Sequence, residues 1–240
     1  MITLTSLLKS LGERQQTYFK FVVVFLLFLL LVFDRDLGMI YLLILFGDFI
    51  WYLTDKNISF PLIRKTTSFR DVLETVVAVG VFLGISTVLV DFLSPNLISN
   101  GIISGAQSIF QLLATGTPIL SGNKFFTLLG WGVMVPIIET SFFFGRLLEG
   151  MTTILEKTFG VKISYKKISV PLIIAIFIVA SLFTLFHITA KGLSTIPLMV
   201  TFIFAIISCA LVIRNEELKN AVALHIIVNS FAVMSSFGWL

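Results

Sequence analysis

Between Lys167 and Lys191, and again between Lys191 and Arg214, the sequence holds no Asp, Glu, Lys or Arg, only runs dominated by Ile, Leu, Val, Phe and Ala. Runs of that length reach across the roughly 30 Å hydrocarbon core of a bilayer when helical. They must be helical there, because backbone N–H and C=O groups in hydrocarbon have to bond within the segment. The rest of the chain agrees: 57% of its residues are hydrophobic and 12% charged, against about 45–50% and about 25% for a soluble domain. That leaves too little charge to cover a water-soluble surface. An all-α, polytopic transmembrane bundle is expected, with about seven spans near 18–33, 37–53, 71–93, 125–148, 169–190, 194–213 and 219–238. An eighth element, re-entrant or interfacial, is allowed for at 94–124, where Gly101, Gly105, Gly116 and Gly122 alternate with apolar residues. The whole chain, 1–240, reads as one integral membrane domain. No cleavable signal peptide is expected, since about 17 mixed residues precede the first apolar run and no small-residue cleavage pattern follows it.

Lys and Arg accumulate on cytoplasmic loops. With the N-terminus inside and seven spans, only Arg35, Lys124 and Lys191 of the 17 basic residues fall outside, which puts the C-terminus outside and points to the plasma membrane. The net charge of +4 is then an orientation signal and an attraction to anionic headgroups, with no nucleic-acid partner implied. Residues 149–168 are expected to form a basic inner loop. Gly80 and Gly84 have the spacing that lets helices approach closely. Cys209, the only cysteine, offers neither a disulfide nor a cysteine metal site and reads as a small packed residue.

Ionisable groups at bilayer depth are costly and usually face a cavity or a partner. Asp48, Glu74 and Asp91 lie close enough to span ends to reach water. Glu139 does not: it sits among Ile, Val and Phe, with Arg146 the nearest cation, seven residues on. Burial disfavours the charged form of such a carboxylate, which suits a general acid or base near neutral pH. Its plain structural alternative is an ion pair with Arg146, two turns further along the same face. Pro136 removes a helix hydrogen bond, frees the carbonyl of Gly132 and predicts a local kink. His187 follows Phe183 by one turn, and His225 and Asn229 share a stripe of the last helix. A Glu and a His can share and deprotonate a water, while an imidazole and a carboxamide can donate to an oxyanion. A single such residue is more often glue between helices; four on three helices imply a site. Depth fits incompletely: counted at about 1.5 Å per residue from the expected inner span ends, Glu139 lies roughly 13 Å in, His225 to Asn229 roughly 9–15 Å, and His187 roughly 28 Å.

The segments Glu139 to Phe144, Phe183 to His187 and His225 to Asn229, in this order, resemble the motifs E-E-x-x-x-R, F-x-x-x-H and H-x-x-x-N of the CPBP, or Abi, intramembrane proteases, which include the type II CAAX prenyl proteases. The likeness covers about 125–235. It departs from the pattern at Thr140 and Phe144, where the family has its second Glu and its Arg. The two positions are four apart, the spacing of an ion pair, so losing both leaves no orphaned charge. What the resemblance implies is a glutamate-dependent endopeptidase that hydrolyses a peptide bond in or near the membrane. Glu139, helped by His187, would activate water; His225 and Asn229 would stabilise the oxyanion; Phe183, Arg146 and Pro136 would support them. No cofactor is required, although Glu139, His187 and His225 could in principle supply three ligands to zinc. The implied partner is a membrane-associated peptide or protein substrate. Two alternatives stand beside this reading: an inactive member of the fold that binds and regulates a membrane partner, and a transporter with polar residues along its pathway, although inverted repeats are not apparent.

Overall fold

A computed structural model describes residues 38–54, 59–63, 66–93, 109–111, 113, 123–191 and 194–239, and among them there is no strand. The expected span at 18–33 and most of 94–124 lie outside the described residues. The chain divides into two compact units, residues 1–54 and 55–240. The described part of the first is helix α1 (Gly38–Thr54), closed by the Thr54 hydroxyl donating to the Trp51 carbonyl at 2.9 Å.

The second unit is a helical bundle of α2 (Phe69–Leu93), α3 (Lys124–Phe159), α4 (Val170–Lys191), α5 (Thr195–Asn215) and α6 (Lys219–Ser236). The first four are long and apolar enough to cross a bilayer, α4 over Val170–Ile188, so the chain is an integral membrane protein. Helix α6, with 18 residues, is less apolar because Lys219, Asn220, His225 and Asn229 interrupt it. Around the first turn of α2 a polar network ties three elements. Arg70 and Arg214 both donate to Glu74 Oε1, at 2.9 and 3.2 Å, and Lys219 lies 2.8 Å from Asp71 and 2.9 Å from Glu217. Gly80 and Gly84 meet nothing within 4 Å of a Cβ built on them, so the close approach expected of them is not made within the described bundle.

Helix α3 corrects one expectation and resolves another. It runs on through Leu148–Phe159, so the first half of the expected inner loop is helix. Gly160, in the left-handed region at φ 64°, stops it, its N–H bonding the Glu156 carbonyl. A short turn then leads to α4, whose Pro171 sits in the first turn, where a missing N–H costs no helix bond. Tyr165 holds this turn against α3 through a 2.9 Å hydroxyl contact with Thr152, and burial pushes its phenol above the usual value. Counted from that shared turn, Glu139 lies roughly 30 Å up α3 and His187 roughly 26 Å up α4. The apparent depth mismatch came from ending α3 at residue 148.

Two stretches of α3, Leu128–Met134 and Ser141–Leu147, are π-helical. At the end of the first, the Val135 N–H bonds the Gly130 carbonyl five residues back. Pro136 comes next and has no N–H to continue the series. The carbonyls one turn below it are served by α6: Asn229 Nδ2 donates to Trp131 O at 3.3 Å and Ser230 Oγ to Gly132 O at 3.2 Å. The carbonyl expected to be freed by Pro136 thus has a partner on the neighbouring helix. Such contact needs the two backbones close together, and a Cβ at Gly132 would lie 3.0 Å from Ser230 Oγ and 3.3 Å from Ser230 Cα. Gly132→Ala is therefore expected to lower the unfolding temperature in detergent, at a cost of about 1–3 kcal/mol for overpacking, and Gly132→Val more so, with both measured by thermal shift on the purified protein.

Candidate functional site

Glu139 and Thr140 lie on the α-helical turn between the two π stretches of α3, and both are buried. Departures from α-helical bonding of this kind turn side chains out of the regular register and are frequent at functional sites. Here the turn faces α6. His225 Nε2 is 3.7 Å from Glu139 Oε2, and His225 Nδ1 is 3.0 Å from the Thr140 hydroxyl oxygen. The imidazole therefore has one nitrogen against a carboxylate and the other against an alcohol, with all three side chains shielded from solvent. When the Thr140 hydroxyl donates to Nδ1, the neutral ring carries its proton on Nε2, towards Glu139. At 3.7 Å the carboxylate and Nε2 are beyond a direct hydrogen bond, and both are within reach of a single water lying beside them.

The third element enters through an aromatic cluster. Phe183 on α4 is buried, with its ring centroid 5.9 Å from His225, 5.2 Å from Phe144 and 5.0 Å from Phe143. His187 packs against the same Phe183 at 4.4 Å with the ring planes tilted by 44°, so both imidazoles pack against one benzyl ring. Helical side chains lean back towards the N-terminus, and His187 does so, its Nδ1 donating to the Phe183 carbonyl at 2.8 Å. Nε2 is then the acceptor nitrogen of the neutral ring. Phe204 on α5 closes the cluster at 4.8 Å from His225.

Among the expected site residues, Glu139 and His225 come into direct proximity, and His187 joins them across Phe183. Asn229 is engaged differently: its amide nitrogen is bonded to the Trp131 carbonyl, leaving the second amide hydrogen for another acceptor. Arg146 is buried within the second π stretch. Among the described residues no three His, Cys, Asp or Glu side chains form a group able to hold a metal ion. Two contributors were not picked out from the sequence: Phe204, which belongs to no motif, and Thr140, noticed only as a replacement.

Residues 121–231 match the family described as type II CAAX prenyl endopeptidase Rce1-like. Over these residues the chain is similar to that family. The matched segment takes in α3 to α5, most of α6 and all the site residues. No curated protein and no solved structure matches the chain.

Within this matched segment the two departures from the motif pattern acquire physical roles. Phe144, where the pattern has Arg, is fully buried against Phe183 and Phe204, each ring pair contributing about 0.5–1.5 kcal/mol. Thr140, where the pattern has a second Glu, is the hydrogen-bond partner of His225. Packing and a neutral hydrogen bond have replaced a potential buried ion pair, an exchange that is often neutral or stabilising. Thr140→Val keeps the shape but leaves His225 Nδ1 without that partner. It is expected to cost about 1–3 kcal/mol and to shift the His225 ring-nitrogen resonances in 15N NMR, whereas Thr140→Ser should preserve both.

Proposed function

We propose that the protein is an intramembrane endopeptidase in which Glu139 and His225 work on one water. The observation that carries this reading is the 3.7 Å approach of the Glu139 carboxylate to His225 Nε2 in a buried site, within a family core described as endopeptidase. The carboxylate takes a proton from the water as its oxygen attacks the scissile carbonyl carbon. The tetrahedral oxyanion accepts hydrogen bonds from His225 Nε2–H and from the remaining amide hydrogen of Asn229. As the C–N bond breaks, Glu139 returns the proton to the departing amine. Thr140 keeps His225 in the donor form that this sequence requires, and His187, with its acceptor nitrogen in the same aromatic cluster, helps to orient the water. No metal enters the scheme. The substrate is a membrane-associated peptide or protein, approached from within or beside the bilayer. The cytoplasmic N-terminus, external C-terminus and plasma-membrane location read from the charge census complete the proposal.

One observation favours a second reading. Thr140 and Phe144 give a well-packed, uncharged version of the first motif, as would suit a core kept for binding and regulating a membrane partner after its chemistry was lost. Purified wild type, Glu139→Gln, His187→Ala and His225→Ala, incubated with membrane-peptide libraries and followed by mass spectrometry, separate the two. Peptidase activity predicts new fragments from wild type and a fall of about 10²–10⁴-fold in their rate for Glu139→Gln. Asn229→Ala should reduce kcat by about 10²–10³-fold, as expected for an oxyanion donor. Identical fragments from wild type and Glu139→Gln, or none from either, would overturn the peptidase reading.

A further inference from the structure

A cavity of about 580 Å³ lies between α2 and α5, away from the Glu139 and His225 pair. Its walls are apolar along their length, with Leu73, Val77 and Val81 on α2 facing Ile207 and Leu211 on α5, and Ala78 and Ala210 provide its depth. Polar groups occur at one end only: Arg70, Glu74 and Arg214. Arg70 opens α2 and Arg214 closes α5, so this end is where both helices leave the apolar part of the bundle.

The charges at the mouth are layered. The Arg70 and Arg214 side chains are 73% and 62% exposed, while Glu74, which both contact, is 11% exposed and also accepts from Asn220. The neighbouring Asp71 and Glu217 are shielded too, and Lys219 lies between them. The acids face inward and two guanidinium groups face out. Each spends one N–H on Glu74 and keeps others in the fork geometry that suits a phosphate. From Arg70 to Val81 the groove runs about 16 Å along α2, close to half of a roughly 30 Å hydrocarbon core. A cationic mouth at the membrane surface above an apolar channel one leaflet deep has the outline of a single phospholipid.

We infer that this groove is a binding site for an anionic phospholipid, with the phosphate on Arg70 and Arg214 and one acyl chain lying between α2 and α5. On the orientation read from the charge census the mouth opens to the cytoplasmic leaflet, whose surface is negative. The site does not depend on the peptidase reading, because none of its residues belongs to the Glu139 cluster.

The test is lipid retention by the intact protein, extracted gently, reconstituted in nanodiscs of phosphatidylcholine with phosphatidylglycerol, and analysed by native mass spectrometry after release. Wild type is expected to retain phosphatidylglycerol in preference to phosphatidylcholine. Arg70→Gln with Arg214→Gln should lower that preference by roughly fivefold for each arginine removed, and Ala210→Trp, which fills the groove and keeps both arginines, should abolish retention. Size-exclusion profiles and helical circular dichroism identify any variant that fails to fold, in which case the single arginine substitutions are read instead. Equal retention of the two lipids by wild type overturns the proposal. So does unchanged retention in the arginine variants, which would make the groove an unselective acyl channel. A loss of peptide cleavage in Ala210→Trp with lipid retention intact would assign the groove to a substrate helix and overturn it equally.

Discussion

A backbone carbonyl in hydrocarbon must find a donor, and Pro136 withholds one. The structure answers with side chains from another helix: Asn229 on Trp131 and Ser230 on Gly132. These two bonds pin α6 to α3 at one height and one rotation, which only a residue without a side chain at Gly132 allows. His225 is one helical turn before Asn229 on the same stripe, so the pin also sets the imidazole against Glu139 and Thr140. The polar chemistry of the site is a by-product of how a backbone defect was repaired.

Around that pin the bundle is organised by aromatic rings. Phe143 and Phe144 on α3, Phe183 on α4 and Phe204 on α5 form a continuous cluster that touches both histidines. Interlocked rings limit rotation of the imidazoles and shield the carboxylate, giving the pair a low-dielectric setting. The phospholipid groove lies between α2 and another face of α5 and is built from the opposite ingredients, open apolar walls and exposed cations.

Much of this was legible in the sequence, and the rest was hidden for definite reasons. Glu139, His187, His225 and Asn229 stand out because hydrocarbon penalises them, and the boundaries of α2, α4, α5 and α6 follow from apolar runs ended by charge. The length of α3 was not legible, because Glu149, Glu156 and Lys157 look like a loop to any hydropathy argument although they continue a helix beyond the apolar stretch. That shorter α3 alone produced the false depth of Glu139, which lies about as far as His187 from the turn they share. Nor does any residue type announce a π turn, so the change of helical pitch at Ser141 was not legible. Thr140 was visible as a missing carboxylate but not as a partner of His225, since that contact spans 85 residues and depends on the rotation of α6. Gly80 and Gly84 have the spacing of a packing motif, yet face open space within the described bundle.

The neutral pair Thr140 and Phe144 also bears on how the protein reaches the membrane at all. During biosynthesis each segment is partitioned into lipid before its tertiary neighbours are all in place, and a charged residue near the centre of a helix then costs about 2.5–3.5 kcal/mol. Helix α3 already brings Glu139 and Arg146 into that step. With a hydroxyl and a phenyl ring in place of a second carboxylate and a further guanidinium, it enters the bilayer with two fewer charges to shelter, and gains in ease of insertion what the family pattern spends on an ion pair.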